Sequence, residues 1–194
     1  MAEYTDDLCS GGTVFSNGSW SDWYDYNAFN NSFEEPGWHH ASFPAIIGYQ
    51  FTESKMIQKY AISNRTGINQ APSIWTFEGS NNGSDWTELD SRLNITGWSL
   101  GETREFIFDN DLSFTYYRFS VTQTESGSNC SILEIGMMEK ISNVNPNRPD
   151  TMSGLYTLGS RGNLRGKAAE GFIRPTIKQF FMSAPDYEEI TSIL

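Results

Sequence analysis

Between Trp75 and Trp86 the chain reads Trp-Thr-Phe-Glu-Gly-Ser-Asn-Asn-Gly-Ser-Asp-Trp, and this stretch restricts the fold more than any other. Trp75 and Phe77 alternate with Thr76, Glu78 and Ser80, a period of two that suits a strand with one buried face and does not suit a helix. Asn82-Gly83 supplies the positive φ a tight hairpin needs, and Trp86 and Leu89 begin the return strand. Trp75 and Trp86 are both expected in the core. The same alternation recurs at Ile47, Tyr49 and Phe51, at Phe106 and Phe108, at Tyr117, Phe119 and Val121, and at Leu133, Ile135 and Met137. Short segments of this kind, separated by Gly, Asn, Asp and Pro, predict an all-β sandwich or jelly roll. No long helical periodicity precedes Lys140.

At 194 residues the chain fits one compact domain with an appendage. Met1 to Glu139 holds 6 basic and 19 acidic residues, whereas Lys140 to Leu194 holds 7 and 5. The acidic body is expected to avoid nucleic acid and anionic membranes. No run is long and apolar enough to insert in a membrane, and the N-terminal residues lack the basic start and apolar core of a secretion signal. Folding in a reducing cytosol is therefore expected, with Cys9 and Cys130 able to form at most one disulfide and the compartment arguing against it. Six Asn-X-Ser/Thr triplets begin at Asn17, Asn30, Asn64, Asn82, Asn94 and Asn129 and are read as turns.

The texture changes after Met138. Asn143-Val144-Asn145-Pro146-Asn147-Arg148-Pro149-Asp150 is a linker by composition, which sets a body over residues 1–142 and an extended, mostly irregular docking arm over residues 143–194. The stretch from Gly154 to Gly171 is glycine-rich and cationic, with too few apolar residues for a core of its own. Ser183 to Ile190 has a capping serine, an early proline and acids in its first turn, which fits a short terminal helix or a frayed tail.

Three segments resemble the coagulation-factor type C or discoidin-like domains, a family with the galactose-binding-like β-sandwich that includes many carbohydrate-binding modules. They are Asn27-Ala28-Phe29-Asn30-Asn31 ahead of Trp38, the block from Ile46 through Trp86, and Tyr116-Tyr117-Arg118-Phe119 followed by Ile132-Leu133-Glu134-Ile135-Gly136-Met137. The match spans Trp20 to Glu139, and nothing after Lys140 belongs to it. A discoidin-like jelly roll is the fold it implies.

The resemblance implies a structural Ca²⁺ held around Asn27, Asn30 and Ser32 together with Glu134. Asn30 stands where the family has Asp, which removes one charge from a site that wants six to eight oxygens. The alternative is a loop tied down by its own asparagine hydrogen bonds. The resemblance also implies sugar binding at one end of the sandwich, with Trp38, His39, Asn64, Arg65, Trp98 and Asn129 as candidates by position. Each has a plainer reading: Trp38 as a core aromatic, His39-His40 as surface histidines, Asn64 and Arg65 as solvated loop residues.

Enzyme chemistry fails on inventory, since neither zinc-ligand spacing nor a nucleophile triad signature is present, and Glu34-Glu35 form a solvated charge pair. Gly162 to Ala168 lacks the glycine spacing and the Ser/Thr of a phosphate loop. The expected function is a non-catalytic, lectin-like module for a surface glycan, anchored by residues 143–194 among the subunits of an oligomeric assembly. A cytosolic sugar-binding module suggests a bacteriophage virion: capsid, tail or baseplate. The rival readings are a structural protein that binds only other proteins and an accessory module of a secreted glycoside hydrolase.

Overall fold

A computed structural model of the chain describes residues 3–67 and 69–141, together with the backbone of Thr157–Leu158 and Leu164–Arg165. The chain divides into two units, residues 1–142 and residues 143–194.

In the first unit the strands are β1 (Thr13–Ser16), β2 (Trp38–His40), β3 (Ala45–Lys55), β4 (Ile57–Ser63) and β5 (Pro72–Ser80). They continue as β6 (Thr87–Arg92), β7 (Thr103–Ile107), β8 (Phe114–Thr124), β9 (Cys130–Ile132) and β10 (Glu134–Glu139). A five-stranded sheet runs β1-β3-β8-β5-β6 and a three-stranded sheet runs β10-β4-β7, all neighbours antiparallel. A short β2-β9 ribbon pairs Trp38 with Ile132, His39 with Ser131 and His40 with Cys130. The one helical element among the described residues is a 3-10 turn at Asp25–Phe29. This is the all-β jelly-roll sandwich expected, with the fold of discoidin-like domains.

The period-two residues make the core. Trp75, Phe77, Phe119, Val121, Tyr117, Ile47 and Tyr49 turn inward from the large sheet and meet Tyr60, Ile62, Ile135 and Met137 from the small one. Burying each such side chain contributes about 1.5–3 kcal/mol. Gly79 is small for a reason: a Cβ there would stand 2.4 Å from the ring of Phe114. A polar staple joins the two sheets through the core. Trp75 Nε1 donates to Tyr60 Oη at 2.9 Å, Tyr60 Oη donates to Asp90 Oδ2 at 2.7 Å, and Arg92 Nε donates to the same carboxylate oxygen at 2.7 Å. Burial, with the Asp90 charge beside it, drives the Tyr60 hydroxyl far above its ordinary pKa.

Trp86 departs from expectation. It lies half-buried on the outer face of the large sheet, with the Arg118 guanidinium 4.0 Å over its ring and Phe15 at 6.1 Å. The hairpin explains this, because Trp86 precedes β6 and is not held to that strand's alternation; a bulge between Phe77 and Glu78 then shifts the register. Cys9 and Cys130 are both buried and free, with burial raising both thiols.

The N-terminal segment straps along β10: Thr5 N donates to Glu139 O and Leu8 N to Met137 O, while Ile141 N donates to Glu3 O at 2.8 Å. The two ends of the described body therefore meet. In the second unit β11 (Thr157–Leu158) pairs antiparallel with β12 (Leu164–Arg165). The helix expected over Ser183 to Ile190 lies outside the described residues.

Candidate functional site

One end of the sandwich gathers the loops Trp20–Trp23, Glu34–Gly37, Asn64–Gly67, Asn69–Ala71, Ile95–Glu102 and Glu125–Asn129. Their cross-links are mutual. Glu35 accepts from Arg65, Thr66 and Gly67, while Glu125 accepts from Gly97 N, Trp98 N and Asn69 Nδ2. Partial burial alone would raise the Glu35 carboxyl, but the Arg65 and Thr66 hydrogen bonds hold it below its ordinary value. Backbone and asparagine donors do the same for Glu125.

Three of the candidate residues turn out to be framework. Trp38 is 0% exposed, and its Nε1 donates to Gly18 O at 2.9 Å. Trp98 is buried, donates from Nε1 to Pro72 O at 3.1 Å and carries Arg104 on its face at 4.4 Å. Neither indole offers a face for stacking. Asn64 is buried rather than solvated: its Nδ2 donates to Ser99 O at 3.0 Å and its Oδ1 accepts from Arg65 N. A turn that leaves the sandwich must satisfy its own backbone, and the Asn64 amide does so. Asn129 is half-buried and precedes Cys130, the partner of His40.

His39 and Arg65 stay together. Arg65 lies 4.1 Å over the Trp23 ring, pairs with Glu35 at 3.2 Å and donates from Nη1 to Gln70 Oε1 at 3.1 Å. His39 is buried, a correction to the pair of surface histidines expected; consecutive residues of β2 face opposite sides, so only His40 reaches the surface. A relay then fixes the imidazole. Ser131 Oγ gives its one proton to Gln70 Oε1 at 2.8 Å, so at 2.6 Å from His39 Nδ1 it accepts. The proton sits on Nδ1 and the lone pair on Nε2. Burial, helped by Arg65 and His40, lowers the pKa and keeps the ring neutral.

His39 Nε2 is buried and has no hydrogen-bond partner among the described residues. Two aromatic rings flank it, Trp20 at 5.0 Å and Trp23 at 6.2 Å. Trp20 is 56% exposed, and Tyr24 and Tyr26, both exposed, stack on each other at 5.3 Å nearby in sequence. The cluster Trp20, Trp23 and Glu35 was not among the candidates read from sequence. Its signal was there in Ser19-Trp20-Ser21-Asp22-Trp23-Tyr24, aromatic residues that no alternating segment claims for the core.

At the Asn27–Ser32 turn, Asn27 Nδ2 donates to Asp22 O and Gly37 O, and Asn30 Oδ1 accepts from Ser32 N at 2.8 Å. These are the asparagine ties of the alternative reading. Glu134 is different: it is 4% exposed and neither carboxyl oxygen has a hydrogen-bond partner. Burial pushes it up to about 7; the amides of Asn31, Asn30 and Ser32 face it and pull the other way without closing a bond, and Asp7 adds to the rise. Glu134 is thus an orphaned buried carboxyl that a hard cation would neutralise, although the groups recorded facing it are N–H donors and no cluster of three acidic, His or Cys ligands surrounds it among the described residues.

No family model matches the sequence, and no curated protein matches it. Solved structures do match in fold. The family 32 carbohydrate-binding module of Clostridium perfringens NanJ, in complex with galactose, superposes with a TM-score of 0.60 at 17% identity over 71% of this chain and 100% of that one. A second Clostridium perfringens module, in complex with GalNAc-β-1,3-galactose, gives 0.58 at 14% identity over 69% and 99%. A chitosan-binding module from a Paenibacillus chitosanase/glucanase gives 0.56 at 15% identity over 69% and 98%.

Proposed function

We propose that the chain is a non-catalytic module that binds a neutral glycan at the end of the sandwich carrying Trp20, Trp23, His39 and Arg65. The observation that carries this reading is the unpartnered His39 Nε2. A buried acceptor with no donor costs about 1–3 kcal/mol, and a sugar hydroxyl that reaches it as the Trp20 ring swings aside would supply that donor. Trp20 then serves as the stacking face, and Arg65, set by Glu35 and Trp23, as a second polar contact. The galactose and GalNAc-β-1,3-galactose complexes of the similarly folded modules support the ligand class.

Charge selects the neutral kind. All six Lys and Arg of residues 3–139 are paired with a carboxylate: Lys55 with Glu53, Lys59 with Glu105, Arg65 with Glu35, Arg92 with Asp90, Arg104 with Glu102 and Arg118 with Glu78. A uronate or sialate entering this acidic body would find no uncommitted cation there.

Calcium belongs to the same reading. Glu134, with oxygens of the Asn27, Asn30 and Ser32 turn, would hold it, and the ion would supply the charge that the buried carboxyl lacks. Anchoring in a larger assembly through residues 143–194, a virion included, rests on the composition of that segment. An accessory module of a carbohydrate-active enzyme is the second reading, favoured by a module of this fold solved in one chain with an alginate lyase domain.

The test is an array of neutral and anionic glycans probed with the full chain, with and without Ca²⁺, beside Trp20→Ala, His39→Ala and Arg65→Ala. Neutral glycans should be retained and lost in the variants. A blank array from folded protein would overturn the reading in favour of a structural role.

A further inference from the structure

Beside the His39 site lies an open cavity of about 300 Å³, lined by Gly18, Ser19, Trp20, His40, Ala41 and Ser42. This is the low end of the size range of small-molecule sites and suits one sugar residue. Trp20 is common to both places: its ring packs on His39, and the residue also lines the cavity.

The cavity repeats the chemistry of the first site with different residues. His40 Nδ1 is engaged by Ser42 alone, 2.7 Å from its carbonyl oxygen and accepting from its N–H at 3.3 Å. Nε2 of His40 is the ring nitrogen left without a hydrogen bond among the described residues. Gly18, at a φ of +143° that side chains rarely adopt, lies against this nitrogen: a Cβ there would come into contact with it at 3.4 Å. Trp38 backs the imidazole at 5.9 Å and ties Gly18 down through its Nε1 bond, so the wall is held from the core. The hydroxyls of Ser19 and Ser42 complete a lining that can donate and accept, and no charged side chain borders it.

Resting on the glycan-binding reading, we infer that this cavity is a second sugar subsite, with His40 Nε2 as its polar contact and Trp20 as the aromatic wall shared between two linked residues. The module then reads at least a disaccharide of neutral sugars and distinguishes it from the terminal monosaccharide. The two histidines work as a pair because β2 turns them to opposite sides while Trp20 borders both.

The test is calorimetric titration of the full chain with galactose against GalNAc-β-1,3-galactose, and with N-acetylglucosamine against its β-1,4-linked dimer, following the quench of Trp fluorescence in parallel. One of the disaccharides should bind at least about tenfold tighter than its monosaccharide, the equivalent of one added stacked and hydrogen-bonded residue. His40→Ala and Gly18→Val should each bring that ratio close to one, whereas His39→Ala should weaken both sugars together. Binding of a monosaccharide with no gain for its disaccharide, or a gain that survives both substitutions in folded protein, overturns the second subsite and leaves the first intact. If none of the four sugars binds folded protein, the subsite falls together with the neutral-sugar reading beneath it.

Discussion

The sheet-to-sheet staple and the loop end are built from the same residue types, and they differ in one respect. Around Tyr60, the indole of Trp75, the phenol, the carboxylate of Asp90 and the guanidinium of Arg92 hand their hydrogen bonds around until no buried atom of theirs lacks a partner. Around His39, the relay through Ser131, Gln70 and Arg65 is equally tight but stops one atom short, at Nε2. A closed network holds the sandwich together, whereas an open one keeps a valence for something from outside. Trp75 and Trp20 show the same contrast, one sealed at 1% exposure and the other left at 56%.

Substituting the two tryptophans should separate stability from binding. Trp75→Ala is expected to cost about 3–5 kcal/mol in chemical denaturation, enough to threaten the fold. If it costs less than Trp20→Ala, the division of labour is wrong. Glu134 gives the next effect. Its folded-state pKa is raised, so the folded protein holds the proton more tightly than the unfolded chain, and stability falls as pH rises from the ordinary carboxylate range through about 7. Melting temperature should decline over that window without Ca²⁺ and recover with it, by about 2.7 kcal/mol at a hundredfold excess over Kd. Glu134→Gln should abolish both the decline and the recovery.

Opening the closed network is the sharper test. Tyr60→Phe leaves the Trp75 N–H without its acceptor and Asp90 without its phenolic donor, at an expected cost of about 1–3 kcal/mol. Trp20→Ala is the smallest change in stability, within about 0.5 kcal/mol, yet it should remove retention on the glycan array. A Trp20 variant that unfolds would mean that this ring is core after all.

Much of the sandwich could be read from sequence because its signal is periodic. Trp75 and Phe77, Ile47 and Tyr49, and Tyr117, Phe119 and Val121 all face inward as alternation requires. The site was legible only in part because loops have no period. Nothing local separates Trp38 and Trp98, whose indoles donate into the framework, from Trp20, which does not; the plainer reading of Trp38 as a core aromatic agrees with its burial. His39 and Arg65 were found by resemblance, while the proton placement that gives them meaning depends on Ser131 and Gln70, distant in sequence and visible only once β2 and β9 pair. Trp86 went astray because a hairpin bulge resets which side is inside.

The meeting of Glu3 with Ile141 fixes a polarity for the body. Both ends leave beside Glu139, which lies opposite Ile57 at the start of β4, whereas Asn64 and Arg65 follow Ser63 at its finish. A seven-residue strand, about 20 Å of it, lies between the corner where the two ends meet and the loop that carries Asn64 and Arg65. A label attached at Glu3 or Ile141 therefore sits at the corner away from the loops that carry Asn64 and Arg65, and reports on the body without touching them.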